Sequence, residues 1–183
     1  MKRLYITTAI AFSVLLLAPS CKSVDQYGVE QQTPFRGSDY ESSRRYFRAV
    51  GKGQSADERV ARSKSDMDAR TQLAGMVDVT IKEVADDYLR ESAIVDRSEV
   101  MTQFQSLSRQ VMNTRLADVR KLDEKVYYNS EKQQYTAFTA YEIHKNSMFD
   151  MIEDQIELKA EQNEAVVEAM KEILEQARKQ SEE

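Results

Sequence analysis

Glycine and proline are confined to the first 75 of the 183 residues. The chain contains five glycines and two prolines, and its last 108 residues contain neither type. Because these residues supply most tight turns and helix stops, a stretch that lacks both favours long elements joined by a few polar turns. This distribution argues against a many-stranded sandwich and against a nucleotide-binding fold with glycine loops late in the chain.

The composition is that of a folded protein, with 41% hydrophobic and 31% charged residues. The single cysteine, Cys21, and the single histidine, His144, cannot together build a zinc site, and one cysteine cannot form an internal disulfide. The formal net charge of −5 leaves no basic surface large enough for nucleic acid. The sequence therefore predicts no metal, no cofactor and no nucleic-acid partner.

The first 20 residues are typical of a bacterial signal sequence. Lys2 and Arg3 form a short positive region, and residues 4–17 form an apolar region that is too short to span a bilayer comfortably. This segment predicts export from the cytoplasm.

The only cysteine lies directly after this segment. The LAPS sequence before Cys21 resembles a bacterial lipobox, in which the cysteine is lipidated and becomes the first residue of the mature protein. We therefore predict cleavage before Cys21 and a stable lipid anchor, since each buried methylene contributes about 0.8 kcal/mol. Lys22 after the cysteine favours the outer membrane, on either its periplasmic or its surface face. In the alternative, Cys21 is incidental beside an ordinary signal peptide or an N-terminal membrane anchor.

Residues 22–44 are polar and show no apolar periodicity. With Cys21 they predict a lipid-bearing flexible tether over residues 21–44, whose root-mean-square reach is roughly 25 Å. A second interpretation is that the aromatic residues of this segment dock on the domain or on a partner. These aromatic residues are Tyr27, Phe35 and Tyr40.

The predicted domain, residues 45–183, begins with a strand and a long helix. Residues 45–51 are rich in aromatic and β-branched types, and residues 51–55 supply a turn. Ser55 is the predicted N-cap of a helix that runs to about Glu91. The predicted buried stripe consists of Val60, Ala61, Met67, Ala69, Leu73, Ala74, Val77, Ile81, Val84 and Tyr88.

A shorter helix and a β-hairpin follow. The helix begins after Ser98, and its apolar residues are spaced four, three and four, so that they share one face. Residues 115–128 and 134–144 alternate like strands, and the polar residues 129–133 predict a hairpin turn without glycine. The shared helical face consists of Val100, Phe104, Leu107 and Val111.

One long acidic helix is predicted from about Ser147 to the end. Residues 147–183 carry eleven acidic and four basic side chains, a net charge of −7. Its apolar seam is interrupted around residues 159–163, so a coiled-coil partner surface and packing on the protein's own sheet are equal alternatives. The seam consists of Met148, Ile152, Ile156, Val166, Met170, Ile173 and Ala177.

These elements predict an α+β fold, in which long helices pack on a small antiparallel sheet of about three strands. The predicted order along the chain is β-α-α-β-β-α. The hairpin tyrosines are a candidate partner surface, because aromatic residues are enriched at interfaces. Ordinary cross-strand pairing beneath the helix is the alternative. The four tyrosines are Tyr127, Tyr128, Tyr135 and Tyr141.

Two patterns in the sequence resemble a nucleotide-binding motif and a catalytic site. GKGQSA at residues 51–56 has the local spacing of a dinucleotide fingerprint, but the acidic position near Asp78 falls inside a continuing helix. We therefore predict that these glycines permit a tight strand-to-helix turn. No nucleophile motif accompanies His144, and neighbouring carboxylates such as Asp123 and Glu124 arise freely among 31 acidic residues. The sequence predicts a protein that is not an enzyme.

Two stretches of the predicted domain carry motifs of a known family. The first is FRAVGKG at residues 47–53 with the small residues that follow it, and the second comprises VYY at 126–128 and YTAFTAY at 135–141. Together they resemble the Lpp-twenty-type lipoproteins over residues 46–145. The resemblance implies a long helix on an antiparallel sheet and carries over no catalytic residue. The small residues are Ala61, Ser65, Ala69 and Ala74, with serine at 65 where the family has alanine.

We therefore expect a lipid-anchored protein of the bacterial outer membrane with a structural or adaptor role. Its expected partner is another envelope protein or a second copy of itself. A second hypothesis is a binder of a lipid or envelope metabolite, with its pocket between the long helix and the sheet. A third is a hydrolase, which requires convergent carboxylates or a catalytic partner for His144.

Overall fold

The computed structural model of the protein describes residues 32–94, 96–115, 119–158 and 163–182. The predicted signal sequence and Cys21 lie outside the described residues. The elements, in chain order, are strand β1 (Tyr46–Ser55), helix α1 (Glu58–Glu91), helix α2 (Arg97–Arg115), strand β2 (Arg120–Asn129), strand β3 (Gln134–His144), helix α3 (Lys145–Leu158) and helix α4 (Glu164–Glu182). The predicted α+β class and element order are confirmed, but the prediction of one long terminal helix was wrong. The segment forms two helices, α3 and α4, which fold back on each other so that both reach the same core.

The three strands form one antiparallel sheet in the order β1-β3-β2. The predicted hairpin joins β2 to β3, with Tyr128 opposite Tyr135. Its turn is built without glycine: the Asn129 side chain accepts a hydrogen bond from the backbone N–H of Lys132 at 2.9 Å, and Gln133 adopts a φ of 47°. An asparagine side chain that bonds the backbone nearby replaces part of the turn's own hydrogen bonding.

Gly51 and Gly53 lie inside β1, on the face that α1 covers. A Cβ atom at Gly51 would lie 2.1 Å from the carbonyl oxygen of Ser65, and one at Gly53 would lie 2.1 Å from the carbonyl oxygen of Ala61. No side chain fits in this space, so these glycines allow the backbone of α1 to approach the backbone of β1. The prediction that they form the strand-to-helix turn was wrong.

The strand continues past the predicted turn, because Ser55 still pairs with Tyr135 of β3. The N-cap of α1 is therefore Asp57, two residues later than predicted. The Asp57 carboxylate accepts a hydrogen bond from the backbone N–H of Val60 at 3.1 Å, which satisfies one of the free N–H groups of the first turn.

The first half of α1 buries small residues, because it lies so close to the sheet. Ala61, Ser65 and Ala69 are fully buried, while Val60 and Met67, which were predicted to be buried, are exposed. The prediction failed here because it selected positions that carry large apolar side chains. Where α1 approaches the sheet closely, only small side chains fit between them.

The second half of α1 extends beyond the sheet. A helix of 34 residues is about 51 Å long, and a strand of 10 residues spans about 33 Å. Here α1 buries large apolar residues, mainly against α2 and α4. The predicted face of α2 and the predicted seam of the terminal helices are both fully confirmed as buried.

Helices α3 and α4 lie antiparallel. The Arg178 guanidinium of α4 reaches Asp150 and Glu153 of α3 at 2.8 and 2.5 Å, and Lys171 reaches Glu157 at 3.1 Å. Their apolar seam faces the domain's own core. Neither alternative for this seam holds as predicted: the seam packs within the protein's own domain, but mainly against helices rather than on the sheet.

Candidate functional site

The face of the sheet opposite α1 is crossed by residues 33–44, which we call the N-terminal segment. The ring of Phe35 is 8% exposed, lies 5.0 Å from the ring of Tyr40 and sits 5.2 Å from the ammonium of Lys125 in β2. The compact unit accordingly begins at Thr33 rather than at residue 45. Docking on the domain, the second interpretation of these aromatic residues, holds for Phe35 and Tyr40, while Tyr27 lies outside the described residues.

Arg48 of β1 holds this segment through its backbone. Its guanidinium donates hydrogen bonds to the carbonyl oxygens of Ser38 and Glu41 at 3.2 and 3.1 Å. The Ser42 hydroxyl accepts from the backbone N–H of Arg48 at 2.9 Å and donates to its carbonyl oxygen at 3.2 Å. One strand residue therefore satisfies polar groups at three positions of the segment.

Glu142 of β3 connects the three strands on the same face. Its side chain is buried, and its carboxylate accepts a hydrogen bond from Arg48 Nε at 2.9 Å and another from the guanidinium of Arg120 in β2. A buried carboxylate is tolerated when cations and hydrogen bonds satisfy it. The negative charge of Glu142 is thus balanced by two arginines of the same sheet.

The four tyrosines of the candidate partner surface are not brought together on one surface. Tyr127 and Tyr128 are 50% and 55% exposed, but they point to opposite faces of β2: Tyr128 contacts the ring of Tyr135 at 4.7 Å, and Tyr127 contacts Phe138 at 6.0 Å. Tyr141 is buried beneath α1. The exposed aromatic surface at this end of the sheet is therefore limited mainly to Tyr127 and Tyr128.

Tyr141 ties β3 to α1. Its hydroxyl donates a hydrogen bond to Asp66 and accepts one from Arg70 at 3.3 Å, and the Arg70 guanidinium lies 4.7 Å from the centre of its ring. Burial, together with the hydrogen bond to Asp66, raises the pKa of Tyr141 above its ordinary value. These contacts make Tyr141 a packing residue rather than part of an exposed surface.

His144 faces a cleft of about 250 Å³ that Arg120, Glu142 and Ser147 also line. Its ring packs edge-on against Tyr46 at 5.0 Å. Within the described part of the chain, His144 has no hydrogen-bonded carboxylate or nucleophile of the kind that a general base requires. The same part of the chain contains no cluster of three potential metal-binding side chains.

In two of the neighbouring carboxylate pairs, one carboxylate forms an ion pair with an arginine. Glu124 binds Arg62 of α1 at 2.7 Å, and Asp87 binds Arg90 at 3.5 Å. The hydrolase hypothesis requires carboxylates that converge on a common cleft. These carboxylates instead take part in ion pairs at separate places.

The space between α1 and the sheet, where the ligand-binding hypothesis placed a pocket, is filled by the close contact of β1 with α1. Cavities lie elsewhere on the described surface. One of about 420 Å³ lies beside Asp86, Arg90 and Arg97, where α1 ends and α2 begins.

Charge is distributed unevenly over the domain. Residues 33–55 and 119–145, which we call the sheet layer, contain ten basic and six acidic residues, a net charge of +4. The terminal region, residues 147–183, has a net charge of −7. The sheet layer therefore attracts negatively charged surfaces, and the terminal region attracts positively charged ones.

No protein-family model, curated protein or solved structure matches the chain. The resemblance to the Lpp-twenty-type lipoproteins therefore rests on the motifs quoted for it. Among the described residues, no helix has the length and apolar character needed to cross a bilayer.

Proposed function

We propose that the protein is a lipid-anchored component of the bacterial outer membrane with a non-enzymatic structural or adaptor role. The observation that carries this proposal is the place of the chain's single cysteine, directly after a short apolar segment with two basic residues at its start. Lipidation of Cys21 would join the domain to the membrane.

Chain length supports a position close to the bilayer. Eleven residues, 22–32, separate Cys21 from the first residue of the compact unit, Thr33. Even fully extended, they span at most about 40 Å. The docked N-terminal segment thus halves the tether expected from composition, and the domain would work near the membrane surface.

The contacts of the charged side chains within the domain support a structural or adaptor role. Glu142 is satisfied by two arginines, and Asp66 is bound by Tyr141 and Arg70. The surface most suited to a partner is formed by the acidic outer faces of α3 and α4. We propose that another envelope protein or a second copy of this chain binds there.

Fractionation of cells that express Cys21→Ala tests the anchor. We expect the variant to leave the membrane fraction and to lack the acyl mass on its mature N-terminus, while Ser23→Ala, the matched control, stays membrane-bound. Membrane retention of Cys21→Ala at the level of the parent protein would contradict the anchor.

Crosslinking in intact cells tests the adaptor role. We expect a reproducible crosslinked species through α3 or α4, identified by mass spectrometry, which is lost when Glu164 and Glu168 are both replaced by lysine. Absence of any such species with the parent protein would contradict the role.

A further inference from the structure

We propose that strand β2 and the hairpin turn of the anchored protein lie against anionic lipid headgroups. This inference rests on the lipid anchor proposed above. It concerns the orientation of the domain, since the acyl chains alone hold it on the membrane.

The start of the compact unit lies close to one edge of the sheet. Phe35, two residues into the compact unit, lies against Lys125 of β2. The compact unit begins at Thr33, so the described chain starts beside β2, which forms one edge of the sheet. The opposite edge, β1, is next to α1 along the chain.

The exposed side chains of this edge suit a headgroup layer. Tyr127 and Tyr128 are half exposed, and they project from opposite faces of one edge strand, so a surface that meets the edge contacts both. Tyrosine is enriched at membrane–water interfaces because it combines an apolar ring with a polar hydroxyl.

The charges of the same edge are compatible with anionic lipid. β2 and the turn contain four basic residues, Arg120, Lys121, Lys125 and Lys132, against three acidic ones, of which Glu124 is bound by Arg62 and Lys121. The sheet layer as a whole is positive, and the terminal region is strongly negative. An anionic surface would therefore attract the sheet layer and repel α3 and α4.

The edge of β2 is poorly suited to pairing with another strand. Its register with β3 shifts between Lys121 and Asp123, and lysines occur along it. Irregular register and lysine both disfavour the addition of a further strand to a sheet edge. This makes a headgroup layer a better occupant of the edge than a second β-strand.

Tryptophan fluorescence can test the orientation, because the chain contains no tryptophan. Tyr127→Trp places a reporter on the β2 edge, and Leu158→Trp, at a side chain that is 76% exposed at the end of α3, is the control. Each lipidated variant is reconstituted into vesicles of phosphatidylglycerol and phosphatidylethanolamine with brominated acyl chains. Far-ultraviolet circular dichroism checks that both variants are folded.

We expect at least threefold stronger quenching of the Tyr127→Trp reporter than of the Leu158→Trp control. Adding Lys132→Glu to the first reporter should reduce its quenching, whereas adding Lys179→Glu, on α4, should not. Equal quenching of the two reporters in vesicle-bound protein would overturn the orientation and leave the anchor intact. Failure of the purified protein to carry acyl chains on Cys21 would instead overturn the proposed anchor.

Discussion

Gly51 of β1 and Ser65 of α1 meet backbone to backbone. A Cβ atom at Gly51 would lie 2.1 Å from the Ser65 carbonyl oxygen and 2.3 Å from the backbone nitrogen of Ala69. One step away across the sheet, the Ser65 hydroxyl lies 2.7 Å from the hydroxyl of Thr139, and both residues are fully buried. The sheet and the long helix are thus held together by close approach and a shared hydrogen bond rather than by large side chains.

Replacement of Gly51 by alanine should destabilise the fold strongly. The added methyl meets backbone atoms that cannot rotate away, so strand and helix must separate, and we expect a loss of about 2–4 kcal/mol in the free energy of unfolding. Urea unfolding followed by circular dichroism measures this loss.

The matched control is Gly75→Ala in α1, the helix that Gly51 contacts. A Cβ atom at Gly75 would have no atom within 4 Å. Alanine has the higher helix propensity, so we expect a gain of up to about 1 kcal/mol. Similar unfolding midpoints for the two variants would contradict the assigned role of Gly51.

Replacement of Phe35 by alanine should release the N-terminal segment without unfolding the domain. Phe35 supplies the buried side chain of this segment and adopts a φ of 64°, a conformation that a non-glycine residue adopts only with compensation from its surroundings. We expect amide hydrogen exchange to accelerate over residues 33–44 and to stay unchanged in α2. The free energy of unfolding should fall by about 1–3 kcal/mol, because the loss is limited to the docking energy of the segment.

Phe35→Leu is the control, since it keeps an apolar side chain of similar size and should retain most of the protection. If the exchange rates of residues 33–44 stay at the parent level in Phe35→Ala, the hydrogen bonds from Arg48 would be sufficient to dock the segment.

Large apolar residues at helical spacing made α2 and the terminal seam predictable. Full burial of a side chain such as Phe104 or Ile152 contributes about 1.5–3 kcal/mol of transfer free energy. Because an α-helix has 3.6 residues per turn, apolar residues at this spacing share one face, and that face is the one that is buried. The break in the seam near residues 159–163 was also visible, but the antiparallel packing of α3 against α4 follows only from the core that both helices share.

The contact between α1 and the sheet was not predictable, because small residues form it. Gly51 and Gly53 are equally compatible with a turn and with a close helix–strand contact, and the sequence alone does not distinguish Ser65 from a solvent-facing residue. The separation of Tyr127 from Tyr128 was predictable, because adjacent residues of a strand point to opposite faces. Docking of Phe35 had no periodic signal, since it depends on one side chain in a polar segment.

High pH should weaken the contact between the end of α1 and α4. The Tyr88 hydroxyl donates a hydrogen bond to the carboxylate of Glu172, and burial, this hydrogen bond and the nearby carboxylate charges raise the pKa of Tyr88 to about 12. The folded protein therefore holds this proton more tightly than the unfolded chain, whose tyrosine titrates near 10. The resulting stabilisation is complete below pH 10 and is lost as the pH rises towards 12.

Urea unfolding between pH 9 and pH 12 measures this loss as the difference between the parent protein and Tyr88→Phe. We expect the variant to be less stable by about 1 kcal/mol at pH 9, where it lacks the hydrogen bond, and the difference to shrink as the pH rises. Glu172→Gln should flatten the same dependence, because it removes the charge that opposes ionisation of Tyr88. A difference between parent and Tyr88→Phe that stays constant up to pH 12 would show that the proton on Tyr88 is not linked to folding.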